Sequence, residues 1–380
     1  MIPAPCVSYL LSLPLSMTGR YLRGRAGYIR GVPRSGLVSR RPGRGRIMDF
    51  SVVAAAREDD SPIDEPLRIA AVADRLGYGE VWLGEGPTWD AFVLATAAAG
   101  VTVRVALTAG PVAVSVRDAY SLARGAASTA AVTGRPVGVA LGTSSKRVVE
   151  GVHGLPRTRP AAVLEETAAA LRELLRTAPG DPVVPGSGFR RRQLPPGGPL
   201  TVAAFGDRAI ATAAAHADRM LLDVVSPEQV AALRAKLEAA AEKAGRTPPR
   251  LAAWVPAAVD PDPASLTQIL RSVAGYLTVP GYREMFAAAG FGEAVELART
   301  GAGPDALLRA LPVEAAGTVG LVGGLDAVRS RIDAYAAAGL DEIALVPATA
   351  GDPGGERTLT ALAPAAQDSA HRTDDGPDQA

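Results

Sequence analysis

After Met48, short apolar runs rich in β-branched residues alternate with alanine- and leucine-rich stretches of helical period, and glycines or small hydroxyl residues gather where the short runs end. The runs Phe50–Ala55, Glu80–Leu83, Val103–Leu107, Pro136–Leu141, Leu200–Ala204, Met220–Val224, Ala252–Pro256 and Ile343–Pro347 predict eight strands with helices between them. Eight strand–helix units in series are what an α/β fold of the (β/α)8 TIM-barrel type requires. Such barrels place their chemistry at the carboxyl ends of the strands.

Helix boundaries are readable as well. Pro66 opens a helix that Gly77 stops; Ser226 and Pro227 open a longer one, lined by Val230, Leu233 and Leu237 and closed by Gly245. A third runs from Asp326 to Ala338, with Val328, Ile332 and Tyr335 facing inward and Gly339 just past its end. Two stretches exceed what a plain barrel needs. Residues 178–199 are dense in proline, glycine and arginine and read as an irregular excursion; residues 262–316, with Leu270, Val273, Leu277, Met285 and Phe286 at helical spacing, read as a helical insertion after the seventh strand. Long insertions in barrels often cover the open end.

The segment before Met48 breaks the pattern: nine arginines, no acidic residue, and an apolar patch at Leu10–Leu15 that precedes the charges instead of following them as in a secretory signal. Residues 1–47 therefore read as a basic disordered extension or a start placed too early, residues 48–363 as the barrel, and residues 364–380 as a disordered polar tail. A basic targeting arm or membrane-touching arm is the alternative for the first segment. The formal net charge of +1 argues against a nucleic-acid binder. The single cysteine suits a reducing cytoplasm, and no apolar run is long enough to span a bilayer. Three scattered histidines and no HExxH or CxxC give no reason to expect a metal.

Two loops carry the candidate chemistry. Gly142-Thr143-Ser144-Ser145 ends the fourth strand with residues that let backbone amides approach an anion and add hydroxyl donors. Ala204-Phe205-Gly206-Asp207-Arg208 leads from the fifth strand into a helix over Ala209–Ala217, whose first amides would face the barrel mouth. Asp207 reads as the N-cap, and Arg208 as a phosphate partner or a solvated side chain. Neither loop is a Walker loop or a GxGxxG fingerprint, and no GxSxG elbow is present. Together they fit a phosphorylated cofactor; separately each is also an ordinary turn.

Gly77-Tyr78-Gly79-Glu80-Val81-Trp82-Leu83-Gly84-Glu85 resembles the second-strand signature of the bacterial luciferase-like superfamily. Arg104–Pro111, Leu141–Ser145 with His153-Gly154-Leu155-Pro156, Arg159 and Glu165-Glu166, then Val202–Gly206, Val319–Gly323 and Ala338–Ile343 resemble its later segments, in order. The chain looks most like the actinobacterial branch of coenzyme F420-dependent oxidoreductases. That resemblance implies a deazaflavin ring over the strand ends, with its phosphate-bearing tail across the two loops. It also implies a non-proline cis peptide after the third strand, here at Ala109-Gly110, and an acidic residue at Glu85 expected both to contact the cofactor and to act in catalysis. Relatives follow that acid with a catalytic histidine, where this chain has Gly86. Trp89 could lie near the ring or simply pack.

His153, in the loop after the fourth strand, is the candidate proton donor, with a backbone-bonded loop histidine as the alternative. His216 reads as a helix-surface or core residue. Glu165 and Glu166 read as structural partners of Arg159. Arg190-Arg191-Arg192 is either a solvated run or a contact for the anionic cofactor tail. The resulting expectation is an F420-dependent oxidoreductase acting on a small-molecule substrate, with Glu85, Ala109, Gly110 and Phe205 at the ring. FMN-dependent monooxygenase chemistry on the same barrel is one alternative, and a cofactor-binding protein without turnover is another. A homodimer is a family expectation only.

Overall fold

The strands form because β-branched and leucine side chains alternate between a helix-covered outer face and a filled barrel interior. The computed structural model describes residues 48–57, 59 and 61–364. The expectations for residues 1–47 and for the tail after Pro364 lie outside the described residues. Among the described residues nine strands are present: β1 (Asp49–Ala54), β2 (Glu80–Leu83), β3 (Ala106–Ala113), β4 (Val137–Gly142), β5 (Gly197–Ala203), β6 (Arg219–Asp223), β7 (Arg250–Val259), β8 (Leu321–Gly323) and β9 (Glu342–Pro347). Every pairing between these strands is parallel. Strands β1 to β7 follow one another, β6 pairs with β7, and β9 joins β7 to β1, so eight strands close. The ninth, β8, lies outside the ring on the long carboxyl end of β7, with Ala257 opposite Leu321.

The eight predicted strands are the eight that close, but the third is displaced toward the carboxyl end. Residues 103–105 are held outside the sheet by the Asp74 carboxylate, which accepts from the backbone N–H groups of Val103, Arg104 and Val105 at 3.0, 2.7 and 3.0 Å. Strand β3 then runs on through Gly110-Pro111, and the register with β4 shifts between Ala109 and Val112. The cis peptide falls at Gly110-Pro111, one bond beyond the expected Ala109-Gly110. The reason is chemical: an X–Pro amide has little preference for trans, whereas a non-proline bond has a strong one.

Around the barrel pack α1 (Glu65–Arg75), α2 (Ala91–Val101), α3 (Ala119–Thr133), α4 (Pro160–Leu174), α5 (Asp207–His216) and α6 (Pro227–Lys243). Ser226 caps α6 in a reciprocal pair with Gln229. Between β7 and β8 come α7 (Pro263–Tyr276), α8 (Tyr282–Phe286), α9 (Gly292–Arg299), α10 (Pro304–Ala310) and α11 (Glu314–Val319), which is the expected helical insertion. Then α12 (Leu325–Ala337) precedes β9, and α13 (Glu356–Ala361) ends the described chain. Leu164, Ala168 and Leu171 of α4 are all fully buried. At roughly 2 kcal/mol per buried leucine, such stripes outweigh intrinsic helix propensity in holding these helices.

The barrel interior is stacked in layers. At the amino-terminal end Arg219 donates to Glu80 Oε1 and Oε2 at 2.8 and 2.9 Å and to Glu342 Oε2 at 2.8 Å. It also lies 3.9 Å from the Trp82 ring centroid. Burial opposes the charges of this cluster, but mutual attraction wins. Glu80 is held below the usual carboxylate range and Arg219 above its ordinary value. Above this ionic plug sits an apolar layer of Val53, Trp82, Ala140, Leu221, Ala252 and Ala344. Above that lies the mouth.

The excursion at 178–199 runs from the end of α4 to the start of β5, closed by an antiparallel bridge between Pro182 and Arg190. A helix-to-strand connection lies at the amino-terminal pole. Arg190-Arg191-Arg192 is therefore at the end opposite the mouth, which disfavours the alternative of a contact with a cofactor tail. Arg191 is buried there, donating to the Leu174 carbonyl at 3.2 Å.

Candidate functional site

Because all strands are parallel, every candidate loop after a strand opens on the same pole. Leu141 of β4 pairs with Val202 of β5, so the turns at Gly142–Ser145 and Ala204–Arg208 leave neighbouring strands side by side. A methyl group on Gly142 would meet Pro111 Cβ at 3.5 Å and Ala203 Cβ at 3.8 Å. The ends of β3, β4 and β5 thus converge at this glycine.

The first turn is braced by Arg157, a residue that sequence reasoning passed over. Its Nε donates to the Ser144 carbonyl at 3.0 Å, and Nη2 donates to Thr143 Oγ1 at 3.3 Å. Ser144 adopts a left-handed backbone with φ 54°. A guanidinium thus lies against the hydroxyl-lined turn, which is the chemistry an anion needs. Ser145 accepts from the Val148 amide at 3.3 Å and begins a π-helical turn over Arg147–Val152.

In the second turn Gly206, not Asp207, is the N-cap of α5, and no side chain caps that helix. Asp207 instead sits in the first turn and pairs with Lys236 at 2.8 Å. The glycine takes the extended cap conformation (φ −83°, ψ 155°), which leaves the aspartate already inside the helix. Arg208 is exposed beside it. The amides at the start of α5 are free of side-chain acceptors from the cap residue, as an anion site requires.

Glu85 is occupied by protein. It pairs with Arg117 at 2.9 Å and accepts from the Ala91 amide at 2.9 Å, bracing the start of α2 beside Asp90. Trp89 donates to the Ile63 carbonyl at 3.1 Å. His153 closes the π-helical turn on the exposed surface. His216 ends α5, half-buried, with its pKa lowered by burial. Arg159 pairs with Glu166 at 3.1 Å, as read from the sequence, while the Glu165 charge acts on His216, opposing the effect of burial there. Ala109 and Gly110 lie in the middle of β3, Ala109 opposite Val139 and Gly110 against the carbonyl of Ala140.

A carboxylate missed in the sequence stands inside the mouth. Asp223 ends β6 in the same two-residue phase as Arg219 and Leu221, so it points into the lumen above the apolar layer. Its Oδ2 accepts from the Tyr276 hydroxyl, and its carbonyl accepts from the Tyr282 hydroxyl at 2.7 Å. Desolvation pushes its pKa up to about 6, with the Tyr276 hydrogen bond pulling the other way. The neighbouring register position on β7 is Trp254, whose indole N–H is buried without an acceptor. Both tyrosines come from the insertion. The sequence signal was a lone acid in the apolar run Met220–Val225 at a strand end.

Among the described residues no group of three or more histidine, cysteine or acidic side chains is arranged to hold a metal, and no helix is long and apolar enough to cross a membrane. The closed parallel barrel has the luciferase-like TIM-barrel fold. Residues 46–342 match the luciferase-like monooxygenase family, and the chain belongs to it.

Solved structures with the same fold include the coenzyme F420-dependent tetrahydromethanopterin reductase of Methanopyrus kandleri. The two share 17% identity, 83% of this chain and 97% of that one are covered, and the TM-score is 0.72. An F420-dependent secondary alcohol dehydrogenase in complex with an F420–acetone adduct also shares 17% identity, over 84% of this chain and 99% of that one, with a TM-score of 0.65. The oxygenating constituent of 3,6-diketocamphane monooxygenase from Pseudomonas putida, in complex with FMN, shares 14% identity over 84% and 98%, with a TM-score of 0.59. No curated protein matches the sequence.

Proposed function

We propose that this chain transfers a hydride between coenzyme F420 and a small organic substrate. One observation carries the reading: the Gly142–Ser145 turn, with the Arg157 guanidinium against it, lies beside the uncapped start of α5 at the mouth of the barrel. Backbone amides, hydroxyls and a cation converge there, and that set of donors fits a phosphate-bearing tail.

The protein's tasks are positioning and electrostatics; the deazaflavin, when bound, supplies hydride transfer. Thr143, Ser144, Ser145 and the amides of Gly206, Asp207 and Arg208 would hold the tail. Ala109, Gly110, Ala204 and Phe205 would flank the ring. Glu85, tied to Arg117, serves this reading by fixing the start of α2, and His153 is the proton donor it proposes on the loop after β4.

FMN is the second reading, because a phosphate turn serves either cofactor and structures of the same fold bind both. Titrating the purified protein with each cofactor, followed by fluorescence quenching, separates them. Micromolar binding of F420 with weaker binding of FMN is expected; the reverse order transfers the proposal to FMN-dependent oxygenation.

A further inference from the structure

Among the described residues, Asp223 is the one carboxylate that the barrel carries into its mouth with an oxygen committed to a phenol. The chain spends unusual backbone on it. Val224, the next residue, is β-branched, buried and at φ 51°, a region such residues seldom enter. Its amide is anchored to the Trp254 carbonyl at 3.3 Å. Strain of this kind persists only where surrounding structure imposes it, and it collects at functional sites.

The surroundings are apolar and aromatic. Trp254 stands T-shaped against Trp82 at 6.0 Å, and Phe205, Tyr282 and Tyr276 form a connected wall, with Phe205–Tyr282 at 4.5 Å and Tyr276–Tyr282 at 4.8 Å. The titratable groups facing Asp223 are the phenols of Tyr276 on α7 and Tyr282 on α8. Burial raises both, and the Asp223 charge raises Tyr276 most of all, so neither phenol ionises near neutrality. On β7 its register neighbour is Trp254, and β5 ends at Ala203, opposite Leu221 one layer below; neither carries a charge. Tyr276 engages Oδ2, and Asp223 as a residue is half-buried.

We propose that Asp223 is a catalytic acid of this mouth, delivering a proton to the oxygen or nitrogen of a substrate C=O or C=N group held among the aromatic rings. The proposal rests on the hydride-transfer reading above. The π bond of the acceptor breaks as its carbon takes hydride from the reduced cofactor and its heteroatom takes the carboxyl proton. The substrate is reduced, the cofactor is oxidised, and the Asp223 carboxylate recovers a proton from water at the mouth. Tyr276 holds the carboxyl in place and stabilises the anion left behind. A carboxyl with a midpoint near 6 exchanges protons readily on either side of neutrality.

Dicyclohexylcarbodiimide, which attacks protonated carboxyls in apolar surroundings, tests the placement on the full chain by peptide mass mapping. Asp223 should label about tenfold or more faster at acid pH than at alkaline pH, with a labelling midpoint well above that of surface carboxylates, because only the neutral carboxyl reacts. Tyr276→Phe should move the labelling midpoint upward, and saturating F420 or FMN should protect. Absence of labelling at Asp223, or labelling indifferent to a cofactor that binds, overturns the proposal. Turnover on a panel of small ketones, aldehydes and imines tests the chemistry. Asp223→Asn should lose roughly a hundredfold in kcat with cofactor affinity retained, and Asp223→Glu should recover part of it. An Asp223→Asn enzyme within about threefold of the parent, or a cofactor-loaded parent that reduces no member of the panel, overturns it as well. Failure of both cofactors to bind defeats the hydride-transfer reading instead, and the carbodiimide midpoint still decides whether Asp223 is an acid open to the mouth.

Discussion

The ring of Tyr282 lies over that of Phe205, centroids 4.5 Å apart and planes 27° from parallel. This stack fastens the helical insertion to the loop after β5. Directly before Tyr282, Gly281 has φ 90°, and a Cβ there would come within 2.2 Å of Phe205 Cε1. Only glycine lets the insertion come so close.

Gly281→Ala should therefore loosen the insertion, at a cost of about 1–3 kcal/mol from backbone conformation and overlap together. Hydrogen exchange should quicken across residues 263–299 and stay unchanged in the strands. Uniform protection in both proteins would show that the insertion is held by something other than this stack.

Arg157→Gln removes the cation from the Gly142–Ser145 turn and should weaken cofactor binding by about 10- to 100-fold, with the fold intact. Fluorescence quenching by F420 and by FMN measures it. Undiminished affinity for both would place the phosphate elsewhere.

Arg219→Met should destabilise the barrel by about 3–5 kcal/mol, because Glu80 and Glu342 would lose the buried cation they share. Denaturant unfolding reads this directly. Adding Glu342→Gln to that variant should recover part of the loss; a strictly additive double variant would contradict the pairing.

Asp223 makes stability fall as pH rises. Its carboxyl has a folded pKa of about 6 against an ordinary value of 3.8. Below about pH 4 both states hold the proton and nothing is lost. Between the two values the unfolded chain releases it first, so folding weakens, and above pH 6 the penalty is complete at roughly 2–3 kcal/mol. Asp223→Asn has no such penalty. Relative to the parent it should gain stability from pH 4 to pH 6 and hold that gain to pH 8 in urea unfolding. A difference constant across that range would refute the raised pKa.

The strands and their order were legible because a two-residue period and β-branched composition are local properties. The caps at Ser226 and the stop at Gly77 were legible for the same reason. Strand β3 was misplaced because the hydrogen bonds that delay it come from Asp74, some 30 residues earlier. The cis peptide was misplaced through a family expectation, although Pro111 was in plain view. At the candidate site both turns could be found, since small residues at strand ends are a sequence signal. Arg157 and Asp223 could not be weighed, since each matters through partners that only folding supplies.

By itself the sequence determined the eight closing strands, the helical insertion and the two small-residue turns, all of which follow from spacing within a few residues. Only the tertiary structure decided that Arg190–Arg192 faces the wrong pole, that Arg219 plugs the barrel, and that Tyr276 and Tyr282 enclose Asp223. Those facts depend on which side chains a closed ring of strands brings together in low-dielectric space, across gaps of about 50 to 140 residues.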